Sequence, residues 1–295
     1  MWSMTKSDFS FLQRAKIRAL KYRYKSSTSD PYLSGDAIAS LCEFQIRKEE
    51  DLKLFEQFGA ECSVVFCRSD LVPHLAEIRL SSKKNRTLVA GNSDFDFTEK
   101  KVLPFRTFNR FFLQNSMVSD GKSIFTLPVG VENLSIGING LPNNLVATLS
   151  WEEKLDSILV GPFSPTHASR GVLMEFAELN PDIFDCYFDR ISPHQFALKM
   201  NSYKYVACPR GNGIDSHRFW ETLYRGSIPI VLASPWSSSL AVYKFPFIQV
   251  TSWSEVKTAI LNFERLSART LPSDIDGLWI PLWKDLFKFG LTPSS

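Results

Sequence analysis

The chain has 295 residues, 44% of them hydrophobic and 22% charged, enough to bury one large core or two smaller ones. That composition excludes a disordered, collagen-like or disulfide-scaffold protein. Thirty-four basic residues against 31 acidic ones leave a net charge of +3, too balanced to require a nucleic-acid partner.

Five cysteines, Cys42, Cys62, Cys67, Cys186 and Cys208, form no C-x-x-C pair, and four of them lie in apolar runs. They read as buried free thiols of a reducing compartment. No window approaches the roughly 18 apolar residues of a membrane span, and the N-terminus has no signal-peptide core. The expected location is the cytoplasm.

Residues 9–25 contain six basic residues and no acid, with Arg14, Arg18, Lys21 and Lys25 on one helical face. Phe9, Ile17, Leu20 and Tyr24 share a neighbouring face. Such a helix suits peripheral contact with an anionic membrane, at its inner face, or packing on the domain with its charges solvated. From Asp36 onward the apolar pattern alternates between helix and strand periods. It predicts a helix over 37–58, strands at 62–67 and 87–90 with a helix over 71–80 between them, and strands at 110–114 and 123–127.

After a Gly-, Asn- and Pro-rich linker at 131–156 the alternation resumes. Strands are expected at 157–160, 183–188, 203–208, 227–233 and 247–250. Ser192, Pro193 and Gln195 form a capping box that starts a helix, and Ser252 with Glu255 forms a second one. A helix from Asp215 to Arg225 stops at Gly226. The resulting fold class is α/β, two Rossmann-like doubly wound domains facing a cleft: an acceptor-side domain at 1–150, a second at 151–275, and a tail at 276–295 that packs back.

In open α/β sheets ligands bind beyond the carboxyl ends of the strands. The richest such loop follows Cys208, where PRGNGIDSHRFWE holds Arg210, Gly211, Asn212, Gly213, Asp215, Ser216, His217, Arg218 and Glu221. Glycines allow close backbone approach, a helix N-terminus favours anions, and arginines grip phosphate oxygens, so the loop reads as a diphosphate site. Glu221, on the helical face of Arg218, either accepts hydrogen bonds from a ribose diol or is a surface glutamate paired with Arg218 or Arg225. In GPFSPTHASR, Thr166 and Arg170 either add a second phosphate contact or are an ordinary cap and a solvated arginine.

Asp36 in YLSGDA and Asp94 in GNSD are loop aspartates, turn formers or general bases. Four scattered histidines and two D-x-D triplets, Asp94/Asp96 and Asp274/Asp276, define no metal site. There is no complete phosphate loop, no G-x-S-x-G and no full dinucleotide fingerprint.

PRGNGIDSHRFWETLYRGSIPIV resembles the exostosin-like glycosyltransferases, which carry P-x-G, then S/T-x-R, then an E-A-L-like helix and G-C-I-P-V-like residues. FPFIQVTSWSEV is similar to the segment that follows in that family. The resemblance is strongest over 203–256 and looser at LVGPFSPTHASR, YLSGDA, GNSD and PVGVEN. It implies a GT-B fold and transfer of a sugar from a nucleotide-diphosphate sugar, a UDP-sugar by expectation, to a saccharide or lipid-linked glycan acceptor. The chemistry implied is inverting and metal-independent, with the nucleotide sugar as co-substrate and no further cofactor. Glu221 matches the ribose-binding carboxylate, Arg218 the diphosphate arginine, and Arg170 a second phosphate ligand. Asp94 and then Asp36 are the expected bases. The alternative is a catalytically inactive transferase-like module that keeps nucleotide or glycan binding.

Overall fold

The structure is a computed structural model that describes residues 31–80, 84–136, 139–266 and 272–289. The basic stretch 9–25 lies outside the described residues. Five strands, β1 (Phe44–Ile46), β2 (Val64–Arg68), β3 (Thr87–Gly91), β4 (Arg110–Leu113) and β5 (Ile124–Thr126), form a parallel sheet in that same spatial order. Five more, β6 (Leu155–Val160), β7 (Phe184–Cys186), β8 (Tyr203–Ala207), β9 (Ile228–Leu232) and β10 (Ile248–Val250), form a second parallel sheet in the order β7-β6-β8-β9-β10.

The two sheets differ from the expected pair of doubly wound domains in one respect. The second reverses direction once, between β6 and β8, whereas the first never reverses. Right-handed crossovers between strands that always step the same way fall on one face. Accordingly Phe55 of α2 (Glu49–Phe58), Leu71 and Leu75 of the 3-10 segment Ser69–Glu77, and Phe97 and Phe108 all pack on the face bearing Val65, Leu88, Phe111 and Ile124.

The opposite face carries Phe66, Val89, Phe112 and Phe125, four residues abreast on neighbouring strands. Its cover comes from the ends of the described chain. Ile38 and Ala39 of α1 (Gly35–Ser40) and Trp283, Leu286 and Phe287 of the last helix join the same core. Phe287 meets Phe112 edge-on at 5.0 Å between ring centres, and Trp283 is fully buried with its indole N–H donated to the Gly277 carbonyl at 2.9 Å.

The helices of the second half are α3 (Ala168–Glu178), α4 (Pro193–Asn201), α5 (His217–Tyr224), α6 (Pro235–Ser239) and α7 (Val256–Leu266), and the last helix is α8 (Ile280–Phe289). Leu173 and Ala177 of α3 and Val256 of α7 cover one face of the second sheet, with Ile158, Tyr205, Ile230 and Val250. Leu159, Val206 and Val231, on the other face, belong to the same apolar core as the first sheet's Phe66 and Phe112. The central strands are thus buried on both faces over most of their length, as in the runs VVFC of β2 and TLVA of β3.

Three local expectations give way. The helix expected over 37–58 is α1, then β1, then α2: Phe44, Gln45 and Ile46 pair with Val65, Phe66 and Cys67, and all three are buried. The Asp51 carboxylate closes the turn after β1 by accepting the N–H groups of Arg47 and Lys48. The helix expected over 71–80 is a 3-10 segment, Ser69–Glu77, with Pro73 inside it removing a backbone donor, and the chain is extended at Ile78. The Ser192 box forms as expected, with Ser192 Oγ accepting from Gln195 N and Gln195 Oε1 from Ser192 N. At Ser252 it does not: Glu255 accepts instead from the Thr251 N–H and hydroxyl, and a 3-10 turn at Trp253–Glu255 precedes α7.

Replacing Phe287 with alanine removes the ring that lies over Phe112 and is expected to cost about 3–5 kcal/mol. Urea unfolding checks this. A loss under about 1 kcal/mol would mean that α8 does not seal the face left open by the crossovers.

Candidate functional site

Where the strand order reverses, the loops after β6 and β8 run in opposite directions and leave a crevice between them. A cavity of about 340 Å³ occupies that crevice. Its floor is the 209–218 loop and the first turn of α5, and one wall is the loop from Phe163 to Arg170 together with Phe196 of α4. The facing wall belongs to the first sheet's loops, through Asp94, Asn115 and Val129, with Asn139 beyond them. Of the residues expected from sequence, Thr166, Arg170, Gly211, Asn212, Gly213, Asp215, Ser216, His217, Arg218, Glu221 and Asp94 line it.

Arg218 is the most constrained charge in the cavity. Its guanidinium carbon lies 4.5 Å from the centre of the Phe163 ring and 4.6 Å from that of Phe196, a sandwich that fixes the plane of the fork. Nη2 donates to the Pro162 carbonyl at 2.8 Å, while Nη1 is buried and has no hydrogen-bond partner among the described residues. Burial, above all, pulls its pKa down to about 10, so the cation persists at neutral pH at a cost in solvation. Two residues earlier the Ser216 hydroxyl, at the cap of α5, is likewise buried without a partner. Two unmet polar groups at one helix N-terminus describe a place for an anion.

Glu221, one turn further along α5, is only 6% exposed and lines the cavity. No ion pair joins it to Arg218 or Arg225 among the described residues. Arg225 donates instead to the Glu221 main-chain carbonyl at 2.8 Å. Of the two sequence readings, the paired surface glutamate therefore does not describe this side chain. Arg170 donates to the Arg210 and Ser164 carbonyls at 2.9 and 3.0 Å, which holds its guanidinium against the glycine loop. A Cβ on Gly211 would fall 2.9 Å from Arg170 Nη2. His167, rather than Thr166, caps α3, its Nδ1 accepting from Ser169 N at 3.2 Å. This leaves Thr166 exposed at the cavity rim.

The glycine loop is gripped by the first half of the chain. Asp215 accepts from Val129 N and from Trp220 Nε1, both at 2.8 Å, and its own N–H donates to Asn115 Oδ1 at 3.0 Å. Asn115 takes a left-handed backbone, φ 53°, directly after β4, and a Cβ on Gly213 would sit 2.5 Å from its Oδ1. Arg210 does not line the cavity. It pairs with Asp96 at 2.9 Å across the cleft, and Asp96 also accepts from Ile214 N at 3.2 Å. Asp94 accepts from Asn212 Nδ2 at 3.1 Å, so the aspartates of this D-x-D triplet bind different partners. Among the described residues no three His, Cys, Asp or Glu side chains converge as a metal-ligating group.

Asp36 stands elsewhere. It is 4% exposed in a second cavity at the ends of β1 to β3, where Arg47 pairs with it at 2.6 Å and Asn92 Nδ2 donates at 3.2 Å. Sequence reasoning missed Asn115, Phe163 and Phe196. The position just past a parallel strand was a signal for Asn115; the two phenylalanines carried none, because core and site aromatics look alike in sequence.

No helix among the described residues is long and apolar enough to cross a membrane. Compared with known proteins, the chain matches no family model and no curated sequence.

Burial pushes the Asp215 carboxyl up to about 8, against the pull of the Val129, Trp220 and Ser216 donors. Between about pH 4 and 8 the folded state therefore holds a proton at this group that the unfolded chain has lost, and its contribution to stability falls as pH rises. Asp215→Asn lacks that titration and forfeits one acceptor, at a cost of about 1–3 kcal/mol. In urea unfolding its deficit relative to the parent is expected to shrink from pH 5 to pH 8; a constant deficit would show an Asp215 that stays ionised.

Proposed function

We propose that the protein is a glycosyltransferase of GT-B type that takes a nucleotide-diphosphate sugar in this cleft, with the second half as donor side and the first as acceptor side. The observation that carries the reading is Arg218. It is a partly buried guanidinium held against two rings, with one buried nitrogen unmet, at the N-terminus of the helix that also presents Glu221. A diphosphate fits the Nη1 donor and the Ser216 hydroxyl, and a ribose diol one turn along α5 suits the Glu221 carboxylate. Departure of a diphosphate builds negative charge, which a preorganised arginine and helix terminus stabilise without having to reorganise, in the role a metal fills at other sites. The resemblance of 203–256 to the exostosin-like family supports the same reading. Of the two expected bases, Asp94 shares the cavity and Asp36 is held by Arg47 in the other one.

The test is a thermal-shift and calorimetric panel of UDP, GDP and CMP with their common sugar conjugates, run with chelator. One nucleoside diphosphate is expected to raise the unfolding midpoint of the parent by mass action. Arg218→Lys, which loses the planar fork, and Glu221→Gln should each weaken that nucleotide by about tenfold or more, about 1.4 kcal/mol. If no nucleotide shifts the midpoint of the parent, with chelator or with added manganese, the transferase reading falls.

A further inference from the structure

We infer that His217, rather than a carboxylate, is the group that takes the proton from the attacking hydroxyl. The inference rests on the donor reading above. His217 Nδ1 lies 2.8 Å from the main-chain carbonyl of Gly130, a residue of the first half with φ 68°. A carbonyl oxygen can only accept, so Nδ1 carries a proton, and in the neutral ring Nε2 is left as a lone-pair acceptor. That single bond spans the cleft, from the helix presenting the donor-side charges to the loop that follows β5. It sets both the tautomer and the ring orientation at the seam between the two halves, and the ring lines the cavity.

Position along α5 supports the same role. His217 and Glu221 are four residues apart, so they share a helical face with a rise of about 6 Å between them. If Glu221 meets the ribose and Arg218 with Ser216 the diphosphate, the nucleotide runs toward the helix N-terminus, and the next atom beyond the diphosphate is the sugar's anomeric carbon. His217 stands between Ser216 and Arg218 in the first turn of α5, beside the groups given to the diphosphate and so next to the sugar bonded to it. The charged and titratable groups around it in the cavity are Asp94, Arg170, Arg218 and Glu221, with Asp215 held protonated by burial. Two of them are held by protein partners, Asp215 by Val129 and Trp220 and Arg170 by two carbonyls, and Arg218 is the group given to the diphosphate. Asp94, the competing base, is exposed as His217 is, and its carboxylate already accepts from Asn212.

In the step assigned, the acceptor oxygen forms the new bond to the anomeric carbon and its proton passes to His217 Nε2. The bond from that carbon to the diphosphate oxygen breaks, and its electron pair leaves on the diphosphate. The imidazolium then returns its proton to water after the products depart. Water itself serves as acceptor in slow donor hydrolysis, which gives an assay before the natural acceptor is identified.

The experiment compares the parent with His217→Gln, His217→Ala and Asp94→Asn. It measures nucleoside diphosphate released from each sugar nucleotide that binds the parent, the pH profile of that release, and the dissociation constant of the matching nucleoside diphosphate. The expected result is a kcat lowered by about 10²–10⁴-fold in both His217 variants, with nucleotide affinity within about threefold of the parent. The low-pH fall of the parent profile should be absent from His217→Gln, and added imidazole should restore part of the rate of His217→Ala. Should a His217 variant lose its fold by circular dichroism, ¹⁵N chemical shifts of the parent ring decide, the expected state being Nδ1 protonated and Nε2 not. Three results overturn the inference: unchanged release in His217→Gln, a loss of nucleotide affinity that matches the loss of rate, or a pH limb that persists there and vanishes in Asp94→Asn. A parent that binds no nucleotide removes the donor reading itself, and the inference with it.

Discussion

A sheet whose strands all step in one direction covers only one of its own faces. The constraint follows from chain handedness, and most of this architecture answers it. The face with Phe66, Val89, Phe112 and Phe125 is closed by α1 and α8, and the apolar core formed there runs on into the second sheet through Leu159, Val206 and Val231. Because that core is continuous, the first sheet's loops after β3, β4 and β5 are held close to the loops after β6 and β8. The cavity is the polar gap left at the carboxyl ends of the strands, above a seam of packed side chains.

Polar contacts across that gap favour a defined loop over raw stability. Asp215 is buried at a cost that its donors only partly offset, yet it ties Val129, Trp220 and Asn115 to the backbone that must approach a ligand. Arg218 carries the complementary cost, a partly buried cation with one buried donor unmet. An anion arriving beside Nη1 would recover solvation that folding removed, so the price of the empty site becomes affinity for the filled one.

Both parallel sheets and the loop after β8 were legible, because short apolar runs and a glycine-rich strand-to-helix junction are local signals. The order of strands was not. The expectation of two doubly wound sheets failed at the first one, since nothing in the residues 62–67 or 87–90 records which neighbour a strand takes. β1 was hidden because Phe44 and Ile46 also suit a helical stripe through 37–58, and only pairing with Val65 and Cys67 decides between the two. The separation of Asp36 from Asp94 was beyond sequence for the same reason: both are aspartates in glycine-containing loops, and the ends of β1 to β3 and the main cleft are told apart only by topology. Arg218 was found as an arginine where the glycine loop enters a helix, and Glu221 through its spacing from it, but the ring contacts of Arg218 were not, as Phe163 and Phe196 come from two other elements.

The sealing of the first sheet by α8 also bears on synthesis. A ribosome delivers all five strands of that sheet long before residues 280–289, so Phe112 and its neighbours lack the cover of Trp283 and Phe287 while the second sheet is being made. The first half is then a nascent intermediate with an open aromatic face, exposed to chaperones and to other growing chains. Its completion is set by translation of the final helix rather than by the speed of its own strand pairing. Pausing before α8 would lengthen that exposure, and a chain cut short there would lack the rings of Trp283 and Phe287 over Phe112.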